Sequence, residues 1–104
     1  PTTRVALSED RLLGSAALVE CDMDTHPEFS PWLASLYVAP AFRHLGVGRR
    51  LVQATAQAAS HAGYTTIYLF TPGQANFYSL LGWQTLAMET YRQHTVTVMS
   101  CETC

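Results

Sequence analysis

The sequence predicts an α/β fold built on one mixed β-sheet flanked by helices. Three observations carry that expectation. Two short stretches, "WLASLYV" (32–38) and "YTTIYLF" (64–70), are apolar and rich in β-branched and aromatic residues, as strands inside a sheet are. After each of them, apolar residues recur in a segment that a glycine closes, at Gly63 and at Gly82, as helices end. Paired strand-like runs open and close the chain, with no repeat, linker or low-complexity segment between.

Residues 4–20, "RVALSEDRLLGSAALVE", read as a hairpin, two apolar runs around the turn formers Ser8, Glu9, Asp10 and Arg11, with Gly14 marking a bulge. "CDMDTHPEFSP" (21–31) has acids, two prolines and no period, so it is a loop, and a loop of that length is functional or mobile. "WLASLYV" is apolar on both faces apart from Ser35, which predicts a strand buried on both sides and ended by Pro40. From Val47 the apolar positions 47, 51, 54, 58 and 62 keep helical spacing up to Gly63. "YTTIYLF" is a second central strand. "TPGQ" (71–74) then carries three helix-start signals: Thr71 as cap, Pro72 at the first helical position and Gln74 completing a capping box, with the helix running to Leu81. "WQTLAMETYRQHTVTVMS" closes the chain as two strands hinged near Tyr91 and Arg92. The predicted order is strand, strand, strand, helix, strand, helix, strand, strand.

A chain of 104 residues is expected to form a single domain, spanning 1–104, with one core. With 48% hydrophobic and 13% charged residues it has the composition of a compact domain and not of a disordered one. A net charge of −2 with six basic residues gives no electrostatic footprint for nucleic acid or an anionic membrane. No apolar run nears the roughly 20 residues that cross a bilayer, and the first residues lack a signal peptide's regions, so the expected location is cytoplasmic. Of three cysteines, Cys101 and Cys104 form a lone CxxC where structural zinc needs about four ligands, and the histidines at 26, 44, 61 and 94 have no metal-binding spacing. No metal is expected.

The segment "AFRHLGVGRRLVQAT" (41–55) sets two glycines one residue apart between a strand and a helix. A dinucleotide fingerprint needs a third glycine at 51, which is leucine, and an acid about 20 positions on. A P-loop needs a lysine the segment lacks. An ordinary turn leaves both the second glycine and the arginine three residues ahead of the first without a purpose. What fits is a loop whose backbone N–H groups, freed of side-chain bulk at Gly46 and Gly48, converge at a helix start and favour a phosphate.

"LYVAPAFRHLGVGRRLV" resembles the signature segment of the GNAT superfamily of N-acetyltransferases: Arg or Gln, two residues, Gly, one residue, Gly or Ala, after a strand and before a long helix. "FYSLLGW" (77–83) is similar to its second signature, Phe-Tyr, three residues, Gly, aromatic. The two stand in the family's order, and the resemblance covers roughly residues 4–100. It implies a GNAT-like mixed sheet flanked by helices. It implies acetyl-CoA as cosubstrate, its pyrophosphate on Arg43, His44, Leu45, Gly46, Val47, Gly48 and Arg49, and its pantetheine arm along main-chain groups of Leu36, Tyr37 and Val38, where the family's sheet splays. Arg43 and Arg49 add charge to the phosphates, while Arg50 reads as a solvated helix position. Tyr78 falls on the family's general-acid position, protonating the CoA thiolate as an amine attacks the thioester directly.

The base is less defined. Glu20, Asp22, Asp24, His26 and Glu28 all lie near the expected acceptor side, with Glu20 preferred. The acceptor implied is a primary amine of a small molecule or peptide. Members of the family usually begin with a further strand and helices that wall the acceptor side, and this sequence starts at the strand that follows them. The fold is therefore N-terminally short relative to the family, whether natively or as a fragment. An open acceptor side leads to an expectation of self-association, a partner covering the hairpin edge at residues 4–8. The competing reading is a catalytically idle acyl-CoA-binding or interaction domain.

Overall fold

A computed structural model describes residues 2–8 and 12–103. The elements are β1 (Thr2–Ser8), β2 (Leu12–Val19), β3 (Trp32–Val38), α1 (Val47–His61), β4 (Thr66–Thr71), α2 (Ala75–Leu80), β5 (Gln84–Tyr91) and β6 (His94–Glu102). Their order is the one the sequence predicts, with a single 3-10 turn, Pro40–Phe42, added ahead of α1. Most of the expected first turn, residues 9–11, and Cys104 of the terminal CxxC lie outside the described residues.

All six strands join one sheet in the order β1-β2-β3-β4-β6-β5. Consecutive strands with no helix between them pair antiparallel, while β3 and β4, separated by the α1 crossover, lie parallel. Alternation along β4 sorts the core into two layers. Ile67 and Leu69 point to the layer that holds Leu51, Val52 and Ala59 of α1 and Tyr78 of α2. Tyr68 and Phe70 point to the other, with Met23, Trp32, Tyr91, Val96 and Val98. Both helices thus cover one face, and the 21–31 loop covers the other.

That loop is tied down. Met23 is fully buried. Phe29 stacks on Tyr68 with centroids 4.5 Å apart, and Trp32 Nε1 donates to Phe29 O at 2.7 Å. His26 Nε2 meets Glu89 Oε1 of β5 at 2.7 Å, and the Tyr91 hydroxyl donates to Asp24 Oδ1 at 3.3 Å. A segment with no period in sequence gains order from partners more than 60 positions away.

In α1 the buried residues are Val47, Leu51, Val52, Thr55 and Ala59, so the stripe turns one position past the apolar series of the sequence. Ala54 and Ala58 have little surface to bury, and Thr55 enters the core because its hydroxyl donates to Leu51 O at 2.7 Å. Gly63 follows the cap with φ +94°, as a helix-ending glycine does. The second helix starts later than "TPGQ" implies. Thr71 Oγ1 accepts from the amides of Gly73 and Gln74 at 3.4 and 3.0 Å, a hydroxyl-closed turn that uses up the expected cap, and the helix begins at Ala75 behind Gln74.

The strand 32–38 is where the structure departs most from the sequence reading. Trp32 and Leu33 are buried on opposite faces as expected, but from Ser35 onward every residue is half-buried or exposed. Ser35 sits at φ +55°, and the pairing with β2 slips there: Tyr37 opposes Ser15 but Ala34 opposes Ala17, one extra residue on β3. Among the described residues β3 meets β4 at a single pair, Trp32 with Tyr68. The bulge turns the end of β3 away from β4 and splits the sheet.

Candidate functional site

The loop after β3 leads into the split. His44 and Gly46 both adopt left-handed backbone, φ +66° and +81°, with Gly46 as the N-cap of α1. No side chain caps that helix and no acid stands in its first turn, so the amides of its first turn keep their donors. Alternating loop conformations of this kind turn successive N–H groups into one concavity, and the dipole of a 15-residue helix adds positive potential. At Gly46 the positive φ demands glycine. At Gly48 an added Cβ would meet Phe77 Cζ at 3.5 Å and Val38 Cγ2 at 3.7 Å, ordinary contact distances, so the fold tolerates a side chain there while the cleft loses room.

The concavity opens into a cleft of about 450 Å³, walled by the open half of β3 (Leu36, Tyr37, Val38), by the loop and start of α1 (Arg43, His44, Gly46, Val47, Gly48, Arg49) and by Gln74, Phe77 and Tyr78. Among the described residues two arginines and no acid line it, on a chain whose net charge is negative. Arg43 is held in place by its Nε, which donates to Val38 O at 3.2 Å. Among the positions the sequence singles out for this site, Leu45 points elsewhere and is 68% exposed. Gln74, read as completing a capping box, is the N-cap residue of α2 without a side-chain cap bond, and it also walls the cleft.

Tyr78 is buried, its ring edge-on to Phe77 and Trp83 at 5.0 and 5.9 Å. Burial pushes its phenol pKa above the usual value, so it holds its proton at neutral pH. No described residue bonds the hydroxyl.

A signature loop, an uncapped helix and a tyrosine thus meet at a bulge-opened strand, and the acetyltransferase (GNAT) domain family matches residues 2–85. The chain belongs to the GNAT acetyltransferase family. An aminoglycoside 6'-N-acetyltransferase complexed with coenzyme A superposes with a TM-score of 0.82 at 18% identity, over 99% of this chain and 73% of its own. A GNAT-family acetyltransferase from Desulfovibrio desulfuricans gives 0.80 at 22% identity, over 99% and 70%. The aminoglycoside 6'-N-acetyltransferase from Enterococcus faecium gives 0.80 at 18%, over 99% and 73%. At these identities the likeness is one of fold. No curated protein sequence matches the chain.

The split in this GNAT sheet leads through to the other face. A cavity of about 230 Å³ runs between β3 and β4, lined by Leu36, Leu69 and Tyr78 on the helical side and by Asp22 and Phe70 on the loop side. It abuts another of about 290 Å³, lined by Asp22, Phe70, Pro72, Tyr91, Arg92, His94 and Val96. Asp22 borders both, and burial raises its pKa while the charge of Arg92 partly opposes the rise. Glu20 stands exposed just beyond β2 and lines none of these spaces. His26, Asp24 and Glu28 serve the loop's own attachments. The sequence named Asp22 only as one of five acids and histidines near the acceptor side, because nothing local marks the one residue that the loop's path carries to the split.

Among the described residues no group of three or more His, Cys, Asp or Glu is placed to hold a metal ion, and no helix is long and apolar enough to cross a membrane.

Proposed function

We propose that this GNAT domain transfers an acetyl group from acetyl-CoA to a primary amine of a small molecule or peptide by direct attack, with Tyr78 as general acid. The observation that carries this reading is that the amide concavity, the half of β3 whose β4-facing edge is open and Tyr78 border one cleft. The residues fit the cosubstrate's chemistry: converging amides and two arginines suit a diphosphate, and the free main-chain groups of β3 suit an amide-bearing arm. Bound there, acetyl-CoA supplies an activated thioester. Loop amides with Arg43 and Arg49 orient it, the β3 edge aligns its arm, and the Tyr78 hydroxyl holds a proton for the sulfur that leaves. A buried phenol with a raised pKa stays protonated until a developing thiolate arrives, which is what a general acid at this position needs.

Calorimetry with CoA, followed by thiol release from acetyl-CoA over a panel of amines, tests the reading. Micromolar binding with amine-dependent release is expected. Binding without release by any amine would leave an idle acyl-CoA-binding domain, and absence of binding would remove both. A homo-oligomer belongs to the same proposal, through the free edge of β1.

A further inference from the structure

The two cavities on the loop side have an asymmetric charge. Among the described residues Asp22 is the sole acid lining either of them, and Arg92 the sole arginine. They border the same cavity, and Arg92 is close enough to act on Asp22 by its charge, yet the structure forms no ion pair between them. Arg92 instead lies over the Tyr91 ring, 5.0 Å from its centroid, on a turn where it and Gln93 take φ +50° and +69°. Phe70 and Tyr91 stand edge to face at 5.4 Å and line the same cavity as the two charges, giving it apolar wall. An acid and a base that share a cavity without closing on each other leave both for a ligand with the complementary pair. The charge of Arg92 offsets the desolvation of the half-buried Asp22 carboxylate only in part.

We infer that the acceptor is a small amino-acid-like zwitterion, its ammonium at Asp22, its body on Phe70 and Tyr91, and its carboxylate at Arg92 and the neighbouring His94. The inference rests on the acetyltransferase reading above and narrows its substrate. Asp22 is the right end for the reacting nitrogen, because the cavity continues from it between β3 and β4 to Tyr78. There the ammonium sheds one proton to the carboxylate: an N–H bond breaks, an O–H bond forms, and the electron pair stays on nitrogen, ready for the thioester. A polycation such as an aminoglycoside is disfavoured, since its further ammonium groups would find Arg92 and no second acid.

The test is binding to the CoA-free protein by calorimetry, with L-phenylalanine, phenethylamine, 3-phenylpropionate and kanamycin as probes. L-phenylalanine should bind about tenfold tighter than either single-charge analogue, and kanamycin weakest. Asp22→Asn should weaken L-phenylalanine and phenethylamine about tenfold and spare 3-phenylpropionate, and Arg92→Gln should do the converse. Equal L-phenylalanine affinity in wild type and Asp22→Asn, tighter binding of kanamycin than of L-phenylalanine, or no binding of any probe would overturn the proposal. The probe comparison on the wild-type protein decides it even if a variant misfolds. CoA affinity measured on the same samples separates the two readings: CoA without L-phenylalanine binding removes only this one, whereas L-phenylalanine without CoA binding removes the acetyltransferase and with it the acceptor role, leaving a zwitterion site alone.

Discussion

Tyr78 and Asp22 stand at the two ends of the split, and burial acts on both in the same direction with opposite consequences. For Tyr78 a raised pKa keeps the neutral form that the fold and the chemistry both want. Tyr78→Phe retains the ring's packing against Phe77 and Trp83, so stability and CoA affinity should hold while turnover falls by roughly 10²- to 10⁴-fold, the worth of general acid catalysis. Near wild-type turnover would make Tyr78 a core residue only. For Asp22 the raised pKa means that the folded state disfavours the charge carried at neutral pH, so its contribution becomes destabilising as pH rises through the unfolded and folded values. Asp22→Asn should therefore raise Tm at pH 7 and leave it unchanged near pH 3, where both side chains are neutral. A lower Tm at pH 7 would show that the carboxylate has a stabilising partner. At Gly48 the distances to an added Cβ are ordinary contacts, so Gly48→Ala should keep the fold and lose CoA affinity by filling space over the amides. Calorimetry showing unchanged affinity would move the diphosphate elsewhere.

Among the elements, the 21–31 loop is the one whose stability depends most directly on pH. The His26 ring is bonded on one side to Glu89 and on the other to Glu28, 3.3 Å away, and its pKa is raised chiefly by the Glu89 bond. A raised histidine contributes stability that is whole below its unfolded pKa, near 6.5, and is lost as pH climbs through the folded value. Glu28, lowered by its own backbone bond and by His26, contributes above its unfolded value and loses that contribution in acid. The clamp is strongest between those limits. Thermal melts should show a mildly acidic maximum that His26→Gln flattens, and an unchanged pH profile in that variant would remove the clamp. Strands, helices and their order were legible in sequence because periodicity, turn residues and terminal glycines act locally. The β3 bulge, the late start of α2 and the loop's anchorage were not. Ser35 looks like a lapse in an apolar strand and is the point where it bends away, and Thr71 looks like a helix cap because the same hydroxyl closes either turn. For the site, the glycine loop could be read from spacing and Tyr78 was implied by the family resemblance of "FYSLLGW", whereas Asp22 reaches its position through Glu89, Tyr91 and Tyr68, which no window of sequence places beside it.

For the whole molecule, a sheet ending in β1 on one side and β5 on the other leaves two edges. The β5 edge carries exposed Leu86 and Met88, and among the described residues β1 is the other edge strand. Pairing through β1 should give a dimer by light scattering at tens of micromolar, about the range of such measurements, and a proline at Val5 should dissolve it. A strict monomer at that concentration would count against the shared edge.

The passage through the sheet also sets how the two substrates meet in time. The glycine-loop cleft opens on the helical face and the Asp22 cavity on the loop face, with Tyr78 common to both spaces between β3 and β4. On the proposed reading, neither substrate has to cross the other's doorway, and neither must depart before the second arrives. Initial velocities varied in both should give intersecting double-reciprocal lines, with dead-end analogues of each substrate competing only against their own. Parallel lines would mean that the acyl group rests on the protein between two separate visits.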